Sequence, residues 1–166
     1  MQKELKYGFV IGVLMIGGIY AEYYAGLHGA NLSAGTPVLS SLVFLIFGVI
    51  WGIRAKKHEE KNGLTYKEAF LGGVTIAFIA GIILGCYAYM YVKAIDPDFV
   101  KRALYYYKQN MDMHYSALTE GEKKMRVESY ATMLTPVSQF ISAVGTSVIV
   151  GALVAGIASF FYKRKD

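Results

Sequence analysis

Few side chains in this sequence have a type and a setting suited to chemistry. Between Lys6 and Lys56 the only charged or imidazole groups are Glu22, His28 and Arg54. Glu22 is the only carboxylate inside a long apolar run, a setting that suits a proton or cation site, and a charge at a bilayer centre costs about 2.5–3.5 kcal/mol on insertion scales. It stands, however, about one turn from the end of that run, among Tyr20, Tyr23 and Tyr24. There water is near, and the expectation is an interfacial carboxylate held by a tyrosine hydroxyl or a basic group of an outer segment. No charge in another apolar run supplies a relay with its second member. Met111 to His114, "MDMH", offers soft ligands of the kind copper takes, with His28 as a further donor. A metal site needs three or four convergent ligands, and the segment reads better as the end of an amphipathic helix. Cys86 is the only cysteine, which excludes an internal disulfide, and His58 lies among lysines and glutamates as a solvated group. "NLS", Asn31 to Ser33, matches a glycosylation acceptor only formally. Phosphate loops, nucleophile elbows and zinc-protease helices do not occur. The expectation is no catalytic, cofactor-binding or metal residues, hence no enzyme and no cofactor. Glu22 and His28 stand as the candidate polar site.

The elements that would position these residues are set by where charge is missing. Of 166 residues, 55% are hydrophobic and only 17% charged, too apolar for an ordinary soluble domain. No charge falls between Glu68 and Lys93, or between Glu128 and Lys163. Such gaps match bilayer spans. Four are predicted, at 7–25, 37–53, 69–92 and 137–162. Helices are required because backbone polar groups in lipid must be satisfied within the segment. Thr36 and Pro37 suit a cap and first position for the second. The first run is expected to be a retained helix rather than a cleaved leader: it is long for one and ends in "IYAEYYAG", with bulky aromatics where a small-residue cleavage site belongs.

Orientation follows from Lys and Arg. "GLHGANLSAGT" has none, whereas the second loop carries Arg54, Lys56, Lys57, Lys61 and Lys67, and the tail Lys163, Arg164 and Lys165. With Lys3 and Lys6, this puts both termini and the middle loop in the cytoplasm. The net charge of +5 is thus a topology signal, and nothing resembles a nucleic-acid groove. Tyr20, Tyr23, Tyr24, Tyr87, Tyr89 and Tyr91 would form the outer aromatic belt, with Tyr7, Trp51, Tyr66 and Tyr162 at the inner boundary. Asp96-Pro97 reads as N-cap and first position of a new helix. Its stripe is Val100, Leu104, Tyr107 and Met111, with Phe99 and Ala103 beside it. Thr119 and Glu122 form a capping box for a second helix, striped by Val127, Tyr130, Ala131 and Leu134. Pro136 permits a bend into the last span. The loop at 96–134 is therefore expected as an amphipathic helical hairpin outside the cytoplasm.

Lipid tails are as apolar as leucine, so helices in a membrane must associate through close backbone approach. The third span offers Gly73, Ala77, Gly81 and Gly85 at four-residue spacing. The fourth offers Ala143, Ser147, Gly151, Ala155 and Ser159, and Gly8 with Gly12 and Gly48 with Gly52 give shorter versions. These are the expected helix-packing residues. "KYGFVIG" and "KEAFLGG" share Lys-x-x-Phe-x-x-Gly, a faint echo of duplication.

"LTYKEAFLGG", "YVKAIDPDF" and "MLTPVSQFISAVGTSVIVGALVAGIASFF" together resemble a bacterial family of unknown function, DUF4199, found chiefly in Bacteroidota. The resemblance covers nearly the whole chain, most specifically residues 64–161. It implies a four-helix inner-membrane protein and carries no activity or catalytic residues to transfer. The expected fold is an all-α, single-domain membrane four-helix bundle with an extracytoplasmic hairpin between spans three and four. Its expected partners are the lipid bilayer and either a second copy or another membrane protein. The expected role is a structural or accessory subunit; the alternative is a small transporter using Glu22.

Overall fold

A computed structural model describes residues 2–24, 39–59, 63–115 and 118–163. Thr36, Pro37, His28 and the Asn31–Ser33 triplet lie outside the described residues. Helices form at α1 (Gln2–Tyr24), α2 (Leu39–Glu59), α3 (Tyr66–Met90), α4 (Phe99–His114), α5 (Glu120–Met133) and α6 (Pro136–Tyr162), and no strand occurs among the described residues. Among the described residues, three stretches are long and apolar enough to cross a bilayer: Gln2–Glu22, Tyr66–Ile95 and Pro136–Tyr162. The outward sides of these stretches and of α2 are greasy. Phe9, Phe47, Trp51, Ile149, Leu153 and Ile157 are all more than half exposed. Apolar surface on that scale fits insertion into a membrane and is costly in water.

The helices outrun the predicted spans. α1 starts at Gln2 rather than residue 7, and α2 continues to Glu59 rather than stopping at 53. Charge marks the edge of an apolar zone, but backbone hydrogen bonding continues through lysines, which are good helix formers. Starts are set by caps. The Thr65 hydroxyl accepts the Glu68 N–H at 3.2 Å while the Glu68 carboxylate accepts the Thr65 N–H at 2.9 Å. Thr119 and Glu122 repeat the arrangement at α5. Thr135 caps α6 through the Ser138 N–H, with Pro136 in the first turn. Ahead of α3, Gly63 takes φ 72° and turns the chain so that Leu64 is buried and bridges Lys163.

The start of α4 departs from the sequence reading. Asp96 is not its N-cap and Pro97 is not its first residue. Instead α3 runs on through a wide π turn, Tyr91–Ile95, closed by the Asp96 N–H donating to the Tyr91 carbonyl at 2.8 Å. Pro97 denies Asp96 helical backbone angles, and Asp96 sits at φ −138°, ψ 77°. Helix α4 therefore begins at Phe99, with Asp98 at the cap position but without a capping side chain.

The closest packing is between α3 and α6, which run antiparallel with their small residues facing. A methyl group added to Gly73 would lie 2.6 Å from the Ala155 Cβ, and one on Gly81 would lie 2.8 Å from the Ser147 Cβ. Gly151 lies against Ala77, and the Phe140 ring covers Gly85. From Gly73 to Gly81, each step of four along α3 is matched by a step of four back along α6. α1 and α2 join by a different device, isoleucines seated against glycines. Ile79 meets Gly8, Ile83 meets Gly12, Ile11 meets Gly48 and Ile76 meets Gly52. The buried core is Ile11, Met15, Leu45, Val49, Ile53 and Ile76 together with the alanines of the α3–α6 seam.

These contacts predict a sharp positional contrast. Gly81→Leu and Gly151→Leu should each destabilise the protein by about 2–3 kcal/mol through overpacking against α6 or α3. Gly145→Leu, on the same helix but with nothing within 4 Å, should change stability little. Thermal unfolding in mild detergent measures all three.

Candidate functional site

Among the described residues, charged side chains are confined to the two ends of the helical core and to the α4–α5 pair. At the end holding the start of α2, Gly18 lets α1 and α2 approach: a methyl there would lie 2.6 Å from the Ser40 Oγ and 2.9 Å from the Phe44 ring. One turn on, the Glu22 Oε1 accepts the Ser40 backbone N–H at 2.6 Å. The first amides of a helix have no partner within it and carry the positive end of its dipole. Glu22 therefore acts as a cap for α2 supplied from α1. This partner of Glu22 is a backbone amide 18 residues away, a contact the sequence reading did not anticipate.

The C-terminal ends of α1 and α3 are joined by rings. Tyr20 meets Tyr87 edge-on at 5.8 Å, Tyr87 meets Tyr91 at 5.9 Å, and Tyr91 meets Phe99 at 5.6 Å. The Tyr91 hydroxyl donates to Asp96 at 3.3 Å, and the same carboxylate oxygen pairs with Arg102. That pair holds the Arg102 guanidinium above its usual range. Asp96 thus ties the π turn to the first turns of α4.

α4 and α5 pack through the Tyr107 and Tyr130 rings, stacked at 4.2 Å, and through Lys123, which reaches Asp112 at 3.0 Å and Glu120 at 3.2 Å. These two carboxylates raise the Lys123 ammonium. Ala103, Met111 and Leu134 are buried; Val100, Leu104, Tyr107, Val127 and Tyr130 are half-buried. In "MDMH" the side chains diverge: Met111 points inward, Asp112 takes Lys123, and Met113 and His114 are exposed. No three metal-ligating groups converge among the described residues. His58 and Cys86 are exposed.

An ion pair at the opposite end escaped the sequence reading. Lys56 Nζ donates to Glu4 Oε1 at 2.7 Å, with the Glu4 side chain only 8% exposed. The pair lies over Gly72: a methyl there would be 3.4 Å from Lys56 Nζ and 3.8 Å from Glu4 Oε1. Three helices thus meet at one point, Glu4 from α1, Lys56 from α2 and Gly72 from α3. The usable signal was a lone acid in the first turn of α1 opposite a double glycine on α3, "LGG". Beside it Lys57 lies over the Tyr162 ring, 5.6 Å from its centre.

Of the stripes named from sequence, Gly73, Ala77 and Gly81 on α3 meet Ala155, Gly151 and Ser147 on α6; Gly85 and Ser159 are buried and Ala143 is half-buried. The family model for a protein of unknown function, DUF4199, matches residues 6–164. The chain belongs to the DUF4199 family. No curated protein and no solved structure matches it. The match runs from the first turns of α1 past the end of α6, so the DUF4199 unit includes the helical core, the π turn and both helices between.

Two outcomes are expected from these contacts. Lys56→Gln should cost this DUF4199 protein about 2 kcal/mol, because Glu4 is left largely buried beside a neutral amide. The double variant Glu4→Gln with Lys56→Gln should recover most of that loss in thermal unfolding. The second outcome concerns pH. The Thr119 N–H and hydroxyl hold the Glu122 carboxyl below its ordinary value. The folded value being the lower one, this cap's contribution is complete above the unfolded value of about 4.3 and is lost as pH falls through the folded value. Amide protection in α5, read as exchange relative to the intrinsic rate at each pH, should therefore fall below roughly pH 4. Glu122→Gln should flatten that dependence.

Proposed function

We propose that this is a four-span protein of the bacterial inner membrane with both termini in the cytoplasm. In this reading it is a non-enzymatic structural or accessory subunit, and the α4–α5 hairpin is its contact element outside the cytoplasm. α2 supplies the fourth span: Leu39 to Ile53 carries no charge, and the helix packs against α1, α3 and α6. The observation that carries the reading is the contrast between core and hairpin. The core helices meet backbone to backbone. The hairpin, shaped by its own cap, ion pairs and ring stack, leaves Tyr105, Met113, Met125 and Met133 at least 60% exposed. Methionines adapt to varied partner surfaces, and tyrosine adds contact area at low entropy cost.

Because the two small-residue stripes face each other within one chain, association with a second copy or another membrane protein would use the hairpin and the outward faces. The alternative, a small transporter using Glu22, is weakened by the engagement of that carboxylate with the start of α2. The reading predicts that a reporter fused after Lys108 is active only outside the cytoplasm. It also predicts that a photo-crosslinker at Met125 captures one defined partner, either another copy or another membrane protein, in intact cells. A cytosolic reporter, or a chain that stays monomeric and partnerless at native levels, would overturn it. On the transport alternative, Glu22→Gln would abolish a solute or proton flux in vesicles; unchanged fluxes are expected here.

A further inference from the structure

The end of α2 bears three cations within four residues, Arg54, Lys56 and Lys57, and the fold gives each a different surrounding. Lys56 is taken by Glu4, and Lys57 lies over Tyr162. Arg54 is exposed. No carboxylate lies one turn from it on α2, where the neighbours are Ile50, Trp51, Lys57 and His58. The described acids near this end are already engaged, Glu4 by Lys56 and Glu68 by the Thr65 cap. The cation on the outer side of α2 thus has no counter-charge from these neighbours.

The residues leading to it share its face. Val43, Phe47, Trp51 and Arg54 recur at helical spacing, within an arc of roughly 80° at 3.6 residues per turn. Val43, Phe47 and Trp51 are 44%, 67% and 70% exposed. An apolar, aromatic track ending in an unneutralised guanidinium has the polarity of a phospholipid lying along it, acyl chain on the track and phosphate at the head. Arginine presents paired donors that match phosphate oxygens in a way lysine cannot. Trp51 belongs at headgroup depth, where indole is favoured.

We infer that the Val43–Phe47–Trp51–Arg54 face of α2 binds one anionic phospholipid of the cytoplasmic leaflet, with its phosphate on Arg54. The inference rests on the four-span reading, which puts this end of α2 at the cytoplasmic boundary. Such a lipid would complete the coat of α2, and its headgroup would neutralise the outer side of the basic end.

The test is native mass spectrometry of the full chain released from nanodiscs of equal phosphatidylglycerol and phosphatidylcholine. The wild type should retain phosphatidylglycerol in preference. Arg54→Gln should lower that retention about fivefold, the effect of removing one surface cation. Arg54→Lys should fall between, and Trp51→Ala should also reduce it. Lys108→Gln, an exposed cation on α4, should leave it unchanged, and excess inorganic phosphate should not displace the lipid. Equal retention of both lipids by the wild type, undiminished retention by Arg54→Gln, or displacement by free phosphate would each overturn the lipid site while leaving the spans intact. Failure of the wild type to insert into nanodiscs would overturn the four-span reading, and this inference with it.

Discussion

Backbone-to-backbone approach of α3 and α6 sets the geometry of everything else in this protein. In water two helices are driven together by the burial of apolar side chains; in lipid that drive is absent, and association depends on van der Waals contact and interhelical hydrogen bonds. Small residues at every fourth position of both helices let the two main chains lie against each other for several turns. The constraint is steric, so it is also directional. Even a single methyl at Gly81 or Gly151 has no free space to enter: it would lie 2.8 Å from the Ser147 Cβ or closer still to the Ala77 Cβ. The same crowding fixes the register of the antiparallel pair, because a shift of one residue would drive Ile76 or Val150 into the seam.

Once that seam is set, the remaining helices have places to go. α3 carries Ile76, Ile79 and Ile83 on a face away from its glycine stripe, and these fill hollows at Gly52, Gly8 and Gly12. α2 and α1 close on each other through Ile11 at Gly48. Polar groups are then left to the ends. Glu22 serves the first amides of α2, Glu4 and Lys56 meet over Gly72, and Asp96 holds the π turn to α4 through Arg102 and Tyr91. Each lies where the helices leave the apolar zone, and each joins two elements rather than decorating one. Burying such groups mid-core would cost far more than these contacts return.

How much of this could be read beforehand depends on the range of the interaction involved. The four-residue period of Gly, Ala and Ser is a local pattern, and the facing of α3 and α6 was legible from it. The Thr119–Glu122 cap was likewise visible, since a capping box spans four residues. Thr65 and Glu68 have the same spacing in "TYKE" but sit at the rim of an apolar run, where attention goes to charge gaps. The π turn was not legible: Asp-Pro looks like a fresh start, and nothing local says that α3 continues through Tyr91–Ile95 before it. The partners of Glu22 and Glu4 lie 18 and 52 residues away. Only the packing of α1 on α2 brings them within reach, and glycines at positions 18 and 72 are the faint trace such contacts leave in sequence.

The account turns on the two stripes meeting within one molecule. The most direct measurement is crosslinking with a reducible thiol-to-thiol reagent, in native membranes, of a chain carrying Met90→Cys and Val137→Cys, exposed positions one turn beyond the Gly85–Phe140 contact of the seam, with Cys86→Ala to remove the native thiol. The account predicts rapid formation of an intramolecular bond, seen as a mobility shift at monomer mass and restored by reductant. A crosslinked product at twice that mass, with no monomeric form, would show the stripes pairing between chains and would contradict it.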